Sequence, residues 1–408
     1  MQTTGTARNI ALLPWISFAQ SLLFWQAVWF LYFQAQLSAA EAILLYVVYD
    51  LAATVLEVPS GYMSDRLGRR LTLIASAAAA TAGAVLLALG GGFLVFAAAQ
   101  VLMGAATAFW SGTGSSILYE SLRAEGRSAE VERQELVIWR VMFIALALSA
   151  AAGGAMARWS GTAPFWATAL AGAWMLALTL RLREPAKDRQ EYQPLGAQLR
   201  VLRGWFARPL LLWLFGLSVG LYVLGHVPFV FGQPFILEAL ERQGLAGEAP
   251  VISGVVSATM MVLSVLASLV AGGLRARIGL AAMLLLALAM QLGLIGALAA
   301  SNAPWVIALL FLRMVPSSLS TPFIQARIQP ELSDDLRATF LSLKSFVGRI
   351  VFAAALFWAA GSSNAVGKMA YGEMQVILLG FLLGGLALWA VLAMSVRRIP
   401  LERRENGA

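Results

Sequence analysis

Apolar runs of about 20 residues recur from one end of this chain to the other, and no other feature narrows its possible folds so far. A helix rises about 1.5 Å per residue, so a run of that length crosses a hydrocarbon core of roughly 30 Å. Twelve such runs are legible, at 10–33, 42–62, 71–91, 93–119, 135–157, 162–182, 209–239, 251–274, 279–300, 304–328, 338–361 and 373–396. They do not alternate in the ~10-residue segments of a membrane-spanning β-barrel. Most also lack the polar face that a helix of a soluble bundle needs. Hydrophobic residues make up 60% of the chain and charged residues 12%, about half the usual charged share of a soluble domain. The fold class expected is therefore all-α integral membrane, with twelve transmembrane helices. The first run is too long for a cleaved signal peptide and lacks a clear small-residue cleavage site, so it counts as a helix.

The net charge of +8 has a topological explanation. With the N-terminus inside, the cytoplasmic segments hold 22 of the 29 Lys and Arg residues, and the external loops hold three, Arg158, Arg242 and Lys368. That asymmetry obeys the positive-inside rule and places both termini in the cytoplasm. It implies no nucleic-acid partner. With no cysteine present, disulfides, thiol nucleophiles and cysteine metal sites are excluded. No His–Asp pair, metal-ligand cluster or ATP-binding loop is legible, so neither an enzyme nor a cofactor is expected.

The longest polar segment, Arg181 to Pro209, divides the chain into an N-terminal bundle at 1–182, a cytoplasmic linker at 183–208 and a C-terminal bundle at 209–408. Its tail around Leu199 to Phe206 is amphipathic and suits the inner membrane surface. The two halves echo each other. GYMSDRLG (Gly61 to Gly68) recurs as GGLRARIG (Gly272 to Gly279), so that Gly61, Arg66 and Gly68 align with Gly272, Arg277 and Gly279. A six-helix repeat points to a transporter whose halves rock about a central site.

The segment GYMSDRLGRR resembles the loop 2–3 signature of the major facilitator superfamily, Gly-x-x-x-Asp-Arg-x-Gly-Arg-(Arg/Lys). The resemblance extends to the whole topology: two pseudo-symmetric six-helix halves, a basic linker and a degraded second copy of the signature. It implies a secondary transporter, working as a monomer in the cell (inner) membrane. Gln100 stands where the family's helix-four arginine would be, while the helix-ten counterpart, Arg313, is present. Ser149 to Gly161 carries the small residues of the antiporter-type signature without its Gly-Pro. Gly61 and Gly68 allow close approach and a tight turn. Asp65 suits a helix N-terminus, where an anion is favoured; the resemblance implies the start of the eleventh helix, Leu336 to Thr339. Arg66, Arg69 and Arg70 would pair with carboxylates of neighbouring loops or with lipid phosphates. Together these six residues form an expected conformational latch.

Asp50 and Glu57 lie seven residues apart on one face of the second run, Asp50 near the bilayer midplane. A carboxylate there costs about 2.5–3.5 kcal/mol on insertion scales, so it should face a cavity or partner and can carry protons. Glu57 also suits a structural role, pairing with Arg140 or capping a neighbouring helix. Arg313 and Arg349 reach mid-depth in the second half, where they can grip an anion or bridge to an acid such as Asp50. Lys344, nearer the membrane surface, suits snorkelling. His226, the only histidine, lies in a stretch expected to be broken by Gly225, Pro228, Gly232 and Pro234. Gln26, Trp29, Trp110 and Gln233 complete the candidate substrate-binding set, as polar and aromatic groups suited to an organic ligand.

The function expected is proton-coupled export of amphipathic or drug-like compounds, an antiport coupled through Asp50. Uptake or exchange of an organic anion held by Arg313 and Arg349 is the alternative, and a lipid flippase a further one. The partners are a small-molecule substrate, protons and membrane lipid.

Overall fold

The computed structural model describes residues 5–185, 208–328, 331, 334–363 and 368–401, the side chains of 5, 58, 334–339, 341 and 342 excepted. Among the described residues there are α- and 3₁₀-helices and no strands. Ten helical stretches are long and apolar enough to cross a membrane, and Ala163–Thr179 is a shorter apolar helix. In hydrocarbon the backbone finds no water, so every N–H and C=O must be satisfied within the segment, and the helix does this residue by residue.

The chain forms two compact units: Met1–Gln190 with Gly247–Ala258 and Asn364–Lys368, and Glu191–Ala246 with Thr259–Ser363 and Met369–Ala408. The first contains α1 (Gly5–Gln20), α2 (Trp29–Gln34), α3 (Ala39–Arg66), α4 (Arg69–Leu89), α5 (Phe93–Trp110), α6 (Thr113–Ala124), α7 (Val131–Trp159) and α8 (Ala163–Thr179). α4 packs on α5 and α8, α5 also on α3, and α1 on α6, α7 and α8. The second contains α9 (Pro209–Glu241), most of α10 (Ala249–Ala300), a 3₁₀-helix at Pro304–Leu312, α11 (Val315–Ile328), α12 (Asp334–Gly361) and α13 (Tyr371–Ser395). Here α9 is the hub, packing on α11, α12 and α13.

Local chemistry sets the breaks. The first apolar run is not one helix: α1 stops at Gln20, and a 3₁₀ turn at Phe24–Ala27 leads into α2. The fourth run breaks after Trp110, where Gly112 takes a left-handed φ of 71° that other residues avoid. α3 starts at a capping box, in which Ser38 Oγ accepts from the Glu41 N–H (3.2 Å) and the Glu41 carboxylate accepts from the Ser38 N–H (2.9 Å). It then runs through Pro59 to Arg66 without stopping. The seventh run departs from expectation in the other direction. Despite Gly225, Pro228, Gly232 and Pro234, α9 is a single helix of 33 residues. Neighbouring helices tolerate the two carbonyls that the prolines leave unbonded.

The sequence echo between Gly68 and Gly279 is also an echo in backbone conformation. Gly68 has φ 117° and ψ 153°, and Gly279 has φ 80° and ψ 163°, each ending one helix and starting the next. In the second case Gly279 kinks the stretch Ala249–Ala300 and divides it into two helices.

Close approach within the first unit also depends on glycine. A Cβ on Gly104 of α5 would lie 2.7 Å from the Tyr49 carbonyl oxygen and 2.9 Å from the Ala53 nitrogen of α3, on either side of Asp50. Gly154 of α7 meets the first turns of α10, where its Cβ would lie 3.0 Å from the Gly254 Cα. Both are backbone contacts that cannot yield by rotating a side chain. Gly104→Val should therefore destabilise the protein by about 1–3 kcal/mol, the usual range for overpacking. A thermal melt of the purified variant in detergent checks this; an unchanged midpoint would show that α3 and α5 can separate freely.

Candidate functional site

Three groups of candidate residues occupy different places. The signature residues gather at one end of the first unit. Gly68 turns the chain into α4, and the Glu184 carboxylate sits on that helix's N-terminus. The Arg69 N–H donates to Glu184 Oε1 (2.7 Å) and the Arg70 N–H to Oε2 (2.8 Å). This is an anion held by the unpaired amides and dipole of a helix start. The Arg69 guanidinium donates to Asp65 Oδ1 (2.6 Å), Ser64 Oγ (2.7 Å) and Glu120 Oε1 (3.2 Å). Arg70 reaches the Leu180 carbonyl (2.9 Å), and Arg66 lies over the Tyr62 ring at 5.5 Å. Asn9 closes the group, donating to Ser121 Oγ (3.0 Å) and the Arg183 carbonyl (2.8 Å) and accepting from the Arg183 N–H (2.9 Å).

The described contacts of the signature thus form a clasp inside one unit, tying the α3–α4 turn to α6 and to the chain after α8. The start of the eleventh helix at Leu336–Thr339, expected to face Asp65, belongs to the second unit and its side chains lie outside the described residues; the linker tail at Leu199–Phe206 also lies outside them. Gly61 does not match its expected role. It is exposed, and among the described residues nothing lies within 4 Å of where its Cβ would be. Glu184, Glu120 and Asn9 were not singled out from the sequence. Only the position of Glu184 at the end of the sixth run, close to where α4 must begin, hinted at its role.

Asp50 occupies the middle of α3 and is 1% exposed. Thr54 Oγ1 donates back to the Asp50 carbonyl (2.7 Å), and the preceding residue, Tyr49, hydrogen-bonds through Oη to Thr107 Oγ1 of α5 (3.0 Å). Glu57 is half-buried, with its carbonyl accepting from Ser60 Oγ (2.8 Å). Among the described residues no ion pair joins it to Arg140, the structural partner expected for it. The aromatic candidates belong to the packing of the unit. Trp29 is 1% exposed amid Phe30, Phe33 and Tyr46, and Trp110 backs onto the α1–α4–α6 core. Gln26 is half-buried and donates to the Leu146 carbonyl of α7 (3.0 Å).

In the second unit, residues far apart in sequence converge. His226 of α9 lies within electrostatic reach of both the Arg313 and the Arg349 guanidinium. Its ring stacks near Tyr222 (4.2 Å between centroids) and Phe352 of α12 (5.4 Å), and Nδ1 pairs with the Tyr222 carbonyl (2.7 Å). Gly348 lets α12 approach closely here, since a Cβ there would come 3.1 Å from the Tyr222 ring, tighter than ordinary contact. Arg313 follows the 3₁₀-helix and lies over the Phe229 ring at 5.1 Å. It also borders a cavity of about 240 Å³ shared with Gly225, Pro228 and Gln291. Gln291 is buried and donates to the Leu221 carbonyl (3.2 Å), and it was not singled out from the sequence. Gln233, two turns beyond His226, is buried within α9. The convergence offers a basic, ring-walled surface with planar hydrogen-bond donors. Among the described residues no three His, Cys, Asp or Glu side chains gather at metal-binding distance.

The family model of the Major Facilitator Superfamily matches residues 10–356. The chain belongs to that superfamily and is a multi-pass membrane protein of the transporter class. Among solved structures it resembles the nucleoside transporter NupG, with a TM-score of 0.75 at 15% identity over 95% of this chain and 99% of that one. It also resembles the peptide transporter POT in complex with sulfate, with a TM-score of 0.74 at 11% identity, covering 96% and 94% of the two chains. The tetrameric PepTSo2 structure gives a TM-score of 0.71 at 11% identity over 97% and 99%. At these identities the likeness is one of fold. No curated protein matches the chain.

The clasp predicts a ranking. Gly68→Ala should lower the melting midpoint most, because it strains a positive φ and meets Glu184 at 2.8 Å; Glu184→Gln should lower it less, and Gly61→Ala should not change it. Melts of the three variants check this, and equal midpoints would show that the clasp holds nothing.

Proposed function

We propose that this protein is a secondary transporter that moves a small organic anion by alternating access, with Arg313, Arg349 and His226 as the recognition surface. The observation that carries the reading is the convergence of those three basic side chains in one unit of a membrane protein. Charge at mid-membrane costs several kcal/mol, and a binding site for an anion is a setting in which two guanidinium groups are useful together, with the His226 ring beside them as a further hydrogen-bonding group. A carboxylate or phosphate accepts from a guanidinium in two parallel bonds, which supplies orientation as well as attraction. Nucleosides and peptides, the solutes of the structurally similar transporters NupG and POT, are likewise small and polar.

The proposed topology has twelve crossings and both termini in the cytoplasm, in two halves at 1–182 and 209–408. Support comes from the ten long apolar stretches, the division of Ala246–Ala300 at Gly279 and the shorter helix at Ala163–Thr179. In this topology the α3–α4 clasp lies on the cytoplasmic side of the cell (inner) membrane, a reading that the arginine-rich loops support. In the proposed cycle that clasp acts as the latch, its Asp65 exchanging partners as the halves rock.

A second reading, proton-coupled export of amphipathic compounds, is favoured by Asp50, a carboxylate almost wholly withdrawn from solvent in the middle of α3. Such a group can take and release a proton as access alternates. In that reading the basic surface serves a different step, and Asp50→Asn abolishes proton movement.

Proteoliposomes containing a pH dye separate the two. Panels of organic anions and of lipophilic cations are offered to the wild type, Arg349→Gln, Arg313→Gln and Asp50→Asn. The expected outcome is anion flux in the wild type, reduced about 10- to 100-fold in either arginine variant, as fits loss of a charged hydrogen bond of ~1.5–3 kcal/mol. Cation-driven proton flux that Asp50→Asn abolishes, with anions inert, would replace the anion reading by export.

A further inference from the structure

A groove of about 600 Å³ lies in the second unit between α9, α12 and α13, and its lining does not include His226, Arg313 or Arg349. Its walls are apolar side chains and glycine, with Val219 and Val223 from α9, Val347, Val351 and Ala355 from α12, and Gly384 from α13. The glycines make the space. Among the described residues no atom lies within 4 Å of a Cβ built on Gly216 or Gly384, both of which border the groove. A Cβ at either position meets open space, so side chains added there project from the groove's wall.

The dimensions suit one hydrocarbon chain. From Val347 to Trp358 the groove follows α12 for about 16 Å at 1.5 Å per residue, roughly half the ~30 Å core and hence one leaflet deep. That length takes the part of one acyl chain that lies within a single leaflet.

One end of the groove carries charge. Lys344 lies three, seven and eleven residues before Val347, Val351 and Ala355, the spacing of a single helical stripe. Its half-buried ammonium group therefore sits on the face of α12 that walls the groove, one turn short of it. Among the described residues it has no ion pair or hydrogen bond. A lysine stem can lie along apolar surface while its head reaches the membrane interface, where lipid phosphates are found. A helix from a second copy of the chain would suit the site less well. It would have to bring a carboxylate to Lys344 or leave an ammonium group in a dry interface.

We propose that this groove holds one acyl chain of an anionic phospholipid, with Lys344 gripping its phosphate at the groove's end. The lipid is drawn from the leaflet at the Lys344 end of α12. It fills space between three helices that the protein's own side chains leave open, and so braces α13 against the α9 hub. Anionic lipids hold the site more strongly than zwitterionic ones because the ammonium group sees a net negative headgroup.

Native mass spectrometry of the full-length purified chain tests this, with phosphatidylglycerol and phosphatidylcholine of identical acyl chains as probes. The wild type should retain phosphatidylglycerol about fivefold better, the selectivity that one lysine near a headgroup supplies. Lys344→Gln should bring the ratio to about one while leaving chain retention in place. Gly384→Phe should abolish retention of both lipids, and Ala355→Phe serves the same purpose if the first variant melts early. Equal retention of the two lipids by the wild type, or retention unchanged by groove filling, would overturn the proposal. Gly384→Cys introduces the sole thiol of a chain that has no cysteine. After oxidation in vesicles it should remain monomeric, and a disulfide-linked dimer as the main product would assign the groove to a second copy instead.

Discussion

A bilayer offers no hydrogen bonds to a polypeptide backbone, and nearly every other feature of this molecule follows from that constraint. It forces each crossing segment into a helix and makes each interruption a place where the freed groups must find partners. The breaks are accordingly few and chemically marked. Gly68, Gly112 and Gly279 carry positive φ values that other residues avoid. Side-chain hydroxyls lie against the backbone of their own or a neighbouring helix: Ser76 donates to the Ala106 carbonyl, Ser218 to that of Leu214, and Thr168 to that of Pro164. In water these bonds would compete with solvent and bring little. In hydrocarbon they keep polar side chains compatible with close helix packing.

The α3–α4 turn shows the same accounting at a membrane edge. A helix start presents unpaired N–H groups, and here one carboxylate, Glu184, satisfies two of them. The carboxylate comes from the chain just after α8, so one side chain both caps α4 and fixes where α8 ends. Arg69 binds Asp65, Glu120 and Ser64 together, joining the last turn of α3 to α6. The signature glycine at position 68 is required because the Glu184 carboxylate occupies the space a Cβ would need. A motif that reads in sequence as one segment is therefore half of an arrangement whose other half lies over a hundred residues away.

That division explains what the sequence could disclose. Hydropathy alone located the apolar segments, because length and composition are local properties. The pairing of Gly68 with Gly279 was legible because the flanking residues repeat, and the backbone agrees. The break after Gln20 was not legible, since Ser21-Leu22-Leu23 is as apolar as its surroundings and no glycine or proline marks it. The continuity of α9 was misjudged for the opposite reason. Two prolines and two glycines suggest a broken helix, whereas packing on α11, α12 and α13 overrides local propensity. Glu184, Glu120, Asn9 and Gln291 went unnoticed because a polar residue's role depends on which helix end or carbonyl the fold brings to it. Asp50, His226, Arg313 and Arg349 stood out because an ionisable group inside an apolar run is conspicuous anywhere.

The basic surface of the second unit carries this logic furthest. A guanidinium in an apolar setting has two kinds of surface, a flat face and an edge of N–H donors, and they call for different partners. In Arg313 the Phe229 ring covers the face, which leaves the edge to make in-plane hydrogen bonds. An ammonium group has no such division, so lysine could not be held by a ring and still present a planar fork to a carboxylate or phosphate. His226 is oriented by the Tyr222 carbonyl at one ring nitrogen, which directs the other nitrogen away from that backbone. The close approach of Gly348 on α12 to the Tyr222 ring on α9 brings Arg349 and His226 onto neighbouring helix faces. In the proposed anion reading, donors held in this way offset part of the cost of desolvation. Such preorganisation matters for binding a charged solute that must give up its own water on entering.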